Sequence, residues 1–150
     1  MKVTGIDYDS RAVHLATLDN GKLVSLLRVH LSGATLTTAI ESIVSQLQVC
    51  ASGAIFVEAP IYIQNPKTSF KLTRVHVLIC IACEQAKLSY QVIEPTRWKK
   101  LALGTARINK QQVFEAVRLH FGEVITDSHF ADACAMAIAG QKILEEEKNA

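Results

Sequence analysis

The 150-residue chain contains no run of about 18 apolar residues, so nothing in it reads as a membrane-spanning helix. Cysteine is scarce. Cys50, Cys80, Cys83 and Cys134 sit in hydrophobic stretches, which predicts reduced, buried thiols rather than a disulfide framework. Strong net charge is also missing: the formal value of +2 speaks against a chain that is basic all over. No internal repeat, low-complexity tract, linker or Gly-rich phosphate loop is visible. The opening Met1-Lys2-Val3-Thr4-Gly5-Ile6-Asp7 carries an acid too early for a signal peptide, so a cytoplasmic protein is expected. With 49% hydrophobic and 20% charged residues, the composition predicts one ordinary globular domain spanning 1–150.

The distribution of charge says more than its sum. Between residues 95 and 118 stand Arg97, Lys99, Lys100, Arg107, Lys110 and Arg118, with Glu115 the single acid. Such a segment on a near-neutral chain predicts that a polyanion docks on one side. Lys67, Lys71 and Arg74 are further candidates for phosphate contacts, which position a nucleic acid without reading its sequence. A solvated surface is the competing reading for each of these charges.

Apolar periodicity predicts the elements. Residues 2 to 8, Val13 to Leu18 and Leu23 to Val29 form an antiparallel meander, with Asn20-Gly21 as a type I′ hairpin turn. Leu36, Ile40, Ile43 and Leu47 repeat at helical spacing. Ala54-Ile55-Phe56-Val57 reads as a strand covered on both faces. Asn65-Pro66 precedes a helix from about Lys67 to Lys87 whose apolar residues exceed one stripe, as expected of a subunit interface. Tyr90 to Ile93 is a short strand, followed by helices at about Asn109 to His120 and Ser128 to Glu147. The result is an α/β fold of ribonuclease H-like type. Its five-stranded mixed sheet has three antiparallel strands, then two parallel, flanked by helices.

Three acids stand where burial is expected. Asp7 ends the first strand, Glu58 ends the Ile55-Phe56-Val57 strand, and Asp132 interrupts an otherwise small and apolar helix. A buried carboxylate needs a compensating charge or donors, and three on separate elements point to a shared cation. Oxygen ligands suit Mg²⁺ or Mn²⁺. His129 lies three residues before Asp132 on the same helical face, a spacing that fits either a further ligand or a proton carrier. Trp98 is expected in the core, and a zinc site from His76, Cys80 and Cys83 is disfavoured because one helix rarely supplies a whole site.

At these residues the chain resembles the RuvC family of Holliday junction resolvases. Four stretches carry the likeness: Gly5-Ile6-Asp7 with Ser10-Arg11; Val57-Glu58; Pro95, Lys99, Gly104 and Lys110-Gln111-Gln112-Val113; and His129-x-x-Asp132-Ala-x-Ala-x-Ala. The resemblance implies a homodimer, paired through the 67–88 helix, that nicks a four-way DNA junction symmetrically using two metal ions per site. It implies Asp7, Glu58, His129 and Asp132 as the metal site, and Lys99 and Lys110 facing the scissile phosphate. Two departures stand out. Tyr8-Asp9 replaces the usual Pro-Gly, making Asp9 a further candidate to reach the ions. Ile61 stands where many relatives place an aromatic, so base stacking is in doubt there and Tyr62 is the candidate to replace it. A nuclease for flaps, forks or RNA on the same fold is the alternative, as is a junction-binding module without catalysis.

Overall fold

The computed structural model describes residues 1–50, 53–60 and 64–150. Five strands, β1 (Lys2–Tyr8), β2 (Ala12–Asp19), β3 (Lys22–His30), β4 (Ala54–Glu58) and β5 (Tyr90–Ile93), form one sheet in the order β3-β2-β1-β4-β5. The first three pair antiparallel, while β4 runs parallel to β1 and to β5, as the sequence pattern predicts. Asn20 and Gly21 both adopt positive φ, 51° and 83°, as a type I′ turn demands. The helices are α1 (Leu36–Cys50), α2 (Pro66–Gln85), α3 (Pro95–Leu103), α4 (Lys110–Phe121) and α5 (Ser128–Lys148).

One element departs from the expectation. The basic stretch after β5 is not merely a charged lead-in to α4; its first part is α3. The signals are conventional: Pro95 at the first helical position and Gly104 closing the helix at φ +82°. The run of charges masks a short apolar stripe, of which Trp98 is the buried member.

Strand alternation sorts the core into two layers and orients the site. Val3, Ala16, Leu18 and Phe56 face α3, α4 and α5, whereas Ile6, Val13, Leu15, Ile55 and Val57 face α1 and α2. Asp7 keeps the parity of Val3, and Glu58 that of Phe56, so both acids belong to the α5 side. Tyr8, one residue on, falls on the α2 side.

Helix α5 approaches the sheet unusually closely because its face is small. A Cβ on Gly5 would stand 2.1 Å from the Ala133 carbonyl oxygen, and one on Gly140 would meet the Phe56 ring at 2.3 Å. Asp127 caps α5, accepting from the Phe130 amide at 2.9 Å. On the other layer, α2 buries Val75, Leu78, Ile79, Ala82 and Cys83 but leaves Phe70 and Val77 exposed. The four cysteines are free: three are buried and Cys80 is half-buried. Among the described residues, no helix is long and apolar enough to cross a membrane.

Candidate active site

β1 is the central strand, and its end delivers Asp7 almost fully buried, at 4% exposure. The parallel neighbour β4 ends beside it with Glu58. Helix α5 begins over the same strand ends, so its first turns bring His129 and, three residues later, Asp132. Together with Tyr8, Asp9, Trp98, Lys99, Lys110 and Val113 these residues line a cleft of about 230 Å³. All four residues expected to form the metal site therefore meet, and Lys99 and Lys110 meet them.

The electrostatics show what this arrangement costs. Burial first, then the charges of Asp7 and Asp132, push the Glu58 carboxyl up to about 8, against the Trp98 N–H and Lys99. Burial and Asp7 push Asp132 up to about 7, opposed by Lys110, whose Nζ lies 3.9 Å from Oδ2. Two carboxyls held this far above their ordinary range are what an added cation would relieve. Three carboxylates and one imidazole are also the donor set that Mg²⁺ or Mn²⁺ accepts. The residues fit a divalent ion.

His129 bridges two acids. Nδ1 is 2.9 Å from Asp7 Oδ2 and Nε2 is 3.3 Å from Asp9 Oδ2. Both ring nitrogens face carboxylate oxygens, an arrangement that favours the protonated ring; the Asp7 hydrogen bond accordingly raises its pKa, overcoming burial. Asp9 itself is held in place by the amides of Arg11 and Ala12, at 2.7 and 2.8 Å. These bonds keep its carboxyl below the ordinary value although burial acts the other way.

Several contacts were not legible in sequence. Trp98 is in the core as expected, at 1% exposure, yet its indole N–H also donates to Glu58 Oε2 at 3.1 Å. Tyr8 donates its hydroxyl to the Glu58 carbonyl oxygen at 3.1 Å, and His76 Nδ1 reaches the same oxygen at 3.2 Å. His14, on β2 in register with Asp7, stacks on His129. Its signal was present only as a histidine in an apolar strand, which local pattern alone does not tie to Asp7.

The other basic candidates stand apart from the cleft lining. Arg97, Lys100 and Arg107 are exposed on the α3–α4 side, and Lys67, Lys71 and Arg74 are exposed on α2. Arg74 borders an apolar groove on the far layer. Ile61 and Tyr62 lie outside the described residues. His76 Nε2 lies 3.6 Å from Cys80 Sγ, and Cys83 is buried in the α1–α2 layer; among the described residues they make no cation-binding trio.

Comparisons with known proteins bear on the fold and the family. A Rhodopirellula baltica crossover junction endodeoxyribonuclease RuvC is 32% identical over 78 residues, 51% of this chain and 44% of that protein, so the match spans less than half of the relative. The Thermus thermophilus RuvC structure superposes with a TM-score of 0.79 at 22% identity, covering 98% of this chain and 97% of that one. The same Thermus protein in complex with Holliday junction substrate gives 0.79 at 21% identity, covering 97% and 96%. At these identities the structural likeness speaks for the fold, the ribonuclease H-like mixed sheet described above. The model of crossover junction endodeoxyribonuclease RuvC matches residues 4–140, from within β1 to the small-residue face of α5, and the chain belongs to the RuvC family.

Proposed function

We propose that residues 1–150 form one divalent-metal-dependent endodeoxyribonuclease domain that resolves four-way (Holliday) DNA junctions by hydrolysing phosphodiester bonds. The observation that carries this reading is the convergence of Asp7, Glu58 and Asp132 from three separate elements on one cleft, with two of them pushed far above the ordinary carboxyl range.

Asp7, on the central strand, would be shared between two Mg²⁺ or Mn²⁺ ions, with Glu58 holding one and Asp132 the other. Among the described residues the only potential ligand trio within 4.8 Å is Asp7, His14 and His129, so the three acids do not converge on a single point. Such ions supply charge relief on the phosphate and an activated water.

The remaining work falls to the chain. Trp98 and Tyr8 hold the side chain and the carbonyl of Glu58 respectively. Lys110 and Lys99, the cations of the cleft, neutralise charge that develops on the phosphate. Once neutral, His129 would serve either as a ligand or as the acceptor of the attacking water's proton. Arg97, Lys100, Arg107, Lys67, Lys71 and Arg74 provide phosphate contacts along the arms. A second copy of the chain covers the α2 face bearing Phe70 and Val77, so that two sites cut symmetrically.

The deciding test is cleavage of a synthetic four-way junction with Mg²⁺ or Mn²⁺, beside Y-shaped and linear DNA. Asp7→Asn is expected to bind the junction as wild type does and to lose cutting by at least about a thousandfold, the scale of losing an electrostatic centre. Full cleavage by Asp7→Asn sinks the metal-site reading; equal cutting of linear DNA sinks the junction assignment.

A further inference from the structure

His14 is 2% exposed. Among the described residues its Nδ1 is the one buried side-chain nitrogen or oxygen without a hydrogen bond. An unmade hydrogen bond of this kind is costly, and such groups call for an explanation. The register Asp7↔His14 sets the ring on the same side of the sheet as the catalytic acid.

Proximity alone suggests that His14 joins Asp7 and His129 as a third metal ligand. Two geometric facts oppose this. The His14 and His129 rings are stacked, with centroids 4.7 Å apart and planes 13° from parallel. Lone pairs lie in the ring plane, so two parallel stacked rings aim theirs side by side rather than at one ion. Furthermore, Arg28 Nε donates to His14 Nε2 at 3.0 Å, which makes Nε2 the acceptor. The neutral ring then carries its hydrogen on Nδ1, where a metal would need a lone pair.

What remains is a clamp. Phe130 meets the His14 ring edge-on at 5.2 Å, and the Arg28 guanidinium lies 5.0 Å over Phe130. Arg28 also pairs with Asp127, the residue that caps α5. His14 is thus pinned in its plane by β3 and pressed flat against His129 by the start of α5. Phenylalanine would pack here without an unpaired N–H, but would give Arg28 nothing to hold.

We propose that His14 is a positioning residue for the nuclease reaction: its stacked ring, anchored by Arg28, sets the plane of His129 and so the direction in which that ring meets Asp7. This inference rests on the reading of Asp7 and His129 as part of the catalytic centre.

Two measurements test it. Long-range ¹H–¹⁵N spectra of the metal-free protein are expected to show His14 as the neutral Nδ1–H tautomer, lost in Arg28→Lys; an Nε2–H tautomer in the wild type overturns the proposal whatever the activity. In single-turnover cleavage, His14→Ala is expected to slow cutting of bound junction by about 10–100-fold, the usual range for residues that orient ligands, while junction affinity stays within about twofold. His14→Phe, which keeps the stack but not the anchor, is expected to recover more than half of that loss on a logarithmic scale. A His14→Ala rate within about threefold of wild type, a parallel loss of binding and cutting, or a His14→Phe no better than His14→Ala each overturns it. Should His14→Ala fail to fold, the tautomer and a slower Arg28→Lys decide alone. If wild-type protein cuts no junction, the nuclease reading fails, and the spectra still test where His14 sits.

Discussion

The two layers of this sheet are built by opposite means. On one, α5 lies so close that main chain nearly touches main chain, with Gly5 beneath the Ala133 carbonyl and Gly140 against Phe56. That layer carries Asp7, Glu58, His129 and Asp132, and its tight packing fixes their spacing. On the other, α1 and α2 bury one stripe and leave an open groove of about 350 Å³ lined by Leu36, Ile40, Phe70, Val77, Leu78 and Ile81. Repelling carboxylates require a stiff frame, because no attraction among them holds them together. An open apolar face is where a partner surface can dock. On the proposed reading, the difference separates a layer made for chemistry from one made for assembly.

The sharpest way to break the comparison is Gly5→Ala. A new Cβ would stand 2.1 Å from a backbone oxygen that cannot move without shifting α5. Stability measured by urea unfolding is expected to fall by about 3 kcal/mol or more, with cleavage lost alongside, because overpacking against main chain has no cheap relief. A loss below about 1 kcal/mol would show that the α5 contact is not rigid.

Next in size is the pH response of the metal-free protein. An acid whose pKa is raised by folding holds its proton more tightly in the native state, so stability is greatest below its unfolded pKa and falls as pH rises through the folded one. Glu58 at about 8 and Asp132 at about 7 place that fall between about pH 4 and pH 8. The raised His129 acts with the same sign, since its contribution is full at low pH and is lost as it deprotonates. Melting temperature should therefore drop by several degrees over this window. Glu58→Gln and Asp132→Asn should flatten the drop while abolishing cleavage, and added Mg²⁺ should stabilise most at the alkaline end. A metal-free protein that grows more stable from pH 5 to 8 would contradict the electrostatics of the cleft.

On the opposite layer, Val77→Asp is expected to leave unfolding stability within about 0.5 kcal/mol, as for other surface changes, while sedimentation shifts from dimer to monomer. Unchanged sedimentation would remove the assembly role from this face. The smallest effect belongs to the rim. Arg107→Ala should weaken junction binding modestly and lower the slope of log affinity against log salt by about one, the signature of one lost phosphate contact. An unchanged slope would make Arg107 a solvated charge.

Much of this architecture could be read from residue order because the relevant signals are local. Asn20-Gly21 announces its turn, Asn65-Pro66 its helix start, and the continuous apolar run Ile55-Phe56-Val57 announces a strand covered on both faces. Helix α3 escaped because lysines and arginines hide its single buried stripe. The acids Asp7, Glu58 and Asp132 were legible for a different reason, as charges standing in apolar company.

Apart from α3, residue order by itself determined the element types, the meander followed by two parallel strands, and which carboxylates would be costly to bury. Only the tertiary structure decided how those costs are met. Trp98 reaching Glu58, His129 lying between Asp7 and Asp9, and His14 pinned by Arg28 each join residues far apart along the chain. The physical reason is one of range. Backbone propensity and periodicity act over a few residues and are written locally, whereas desolvation, charge pairing and ring stacking depend on which distant side chains the packed layers bring to the same few ångströms.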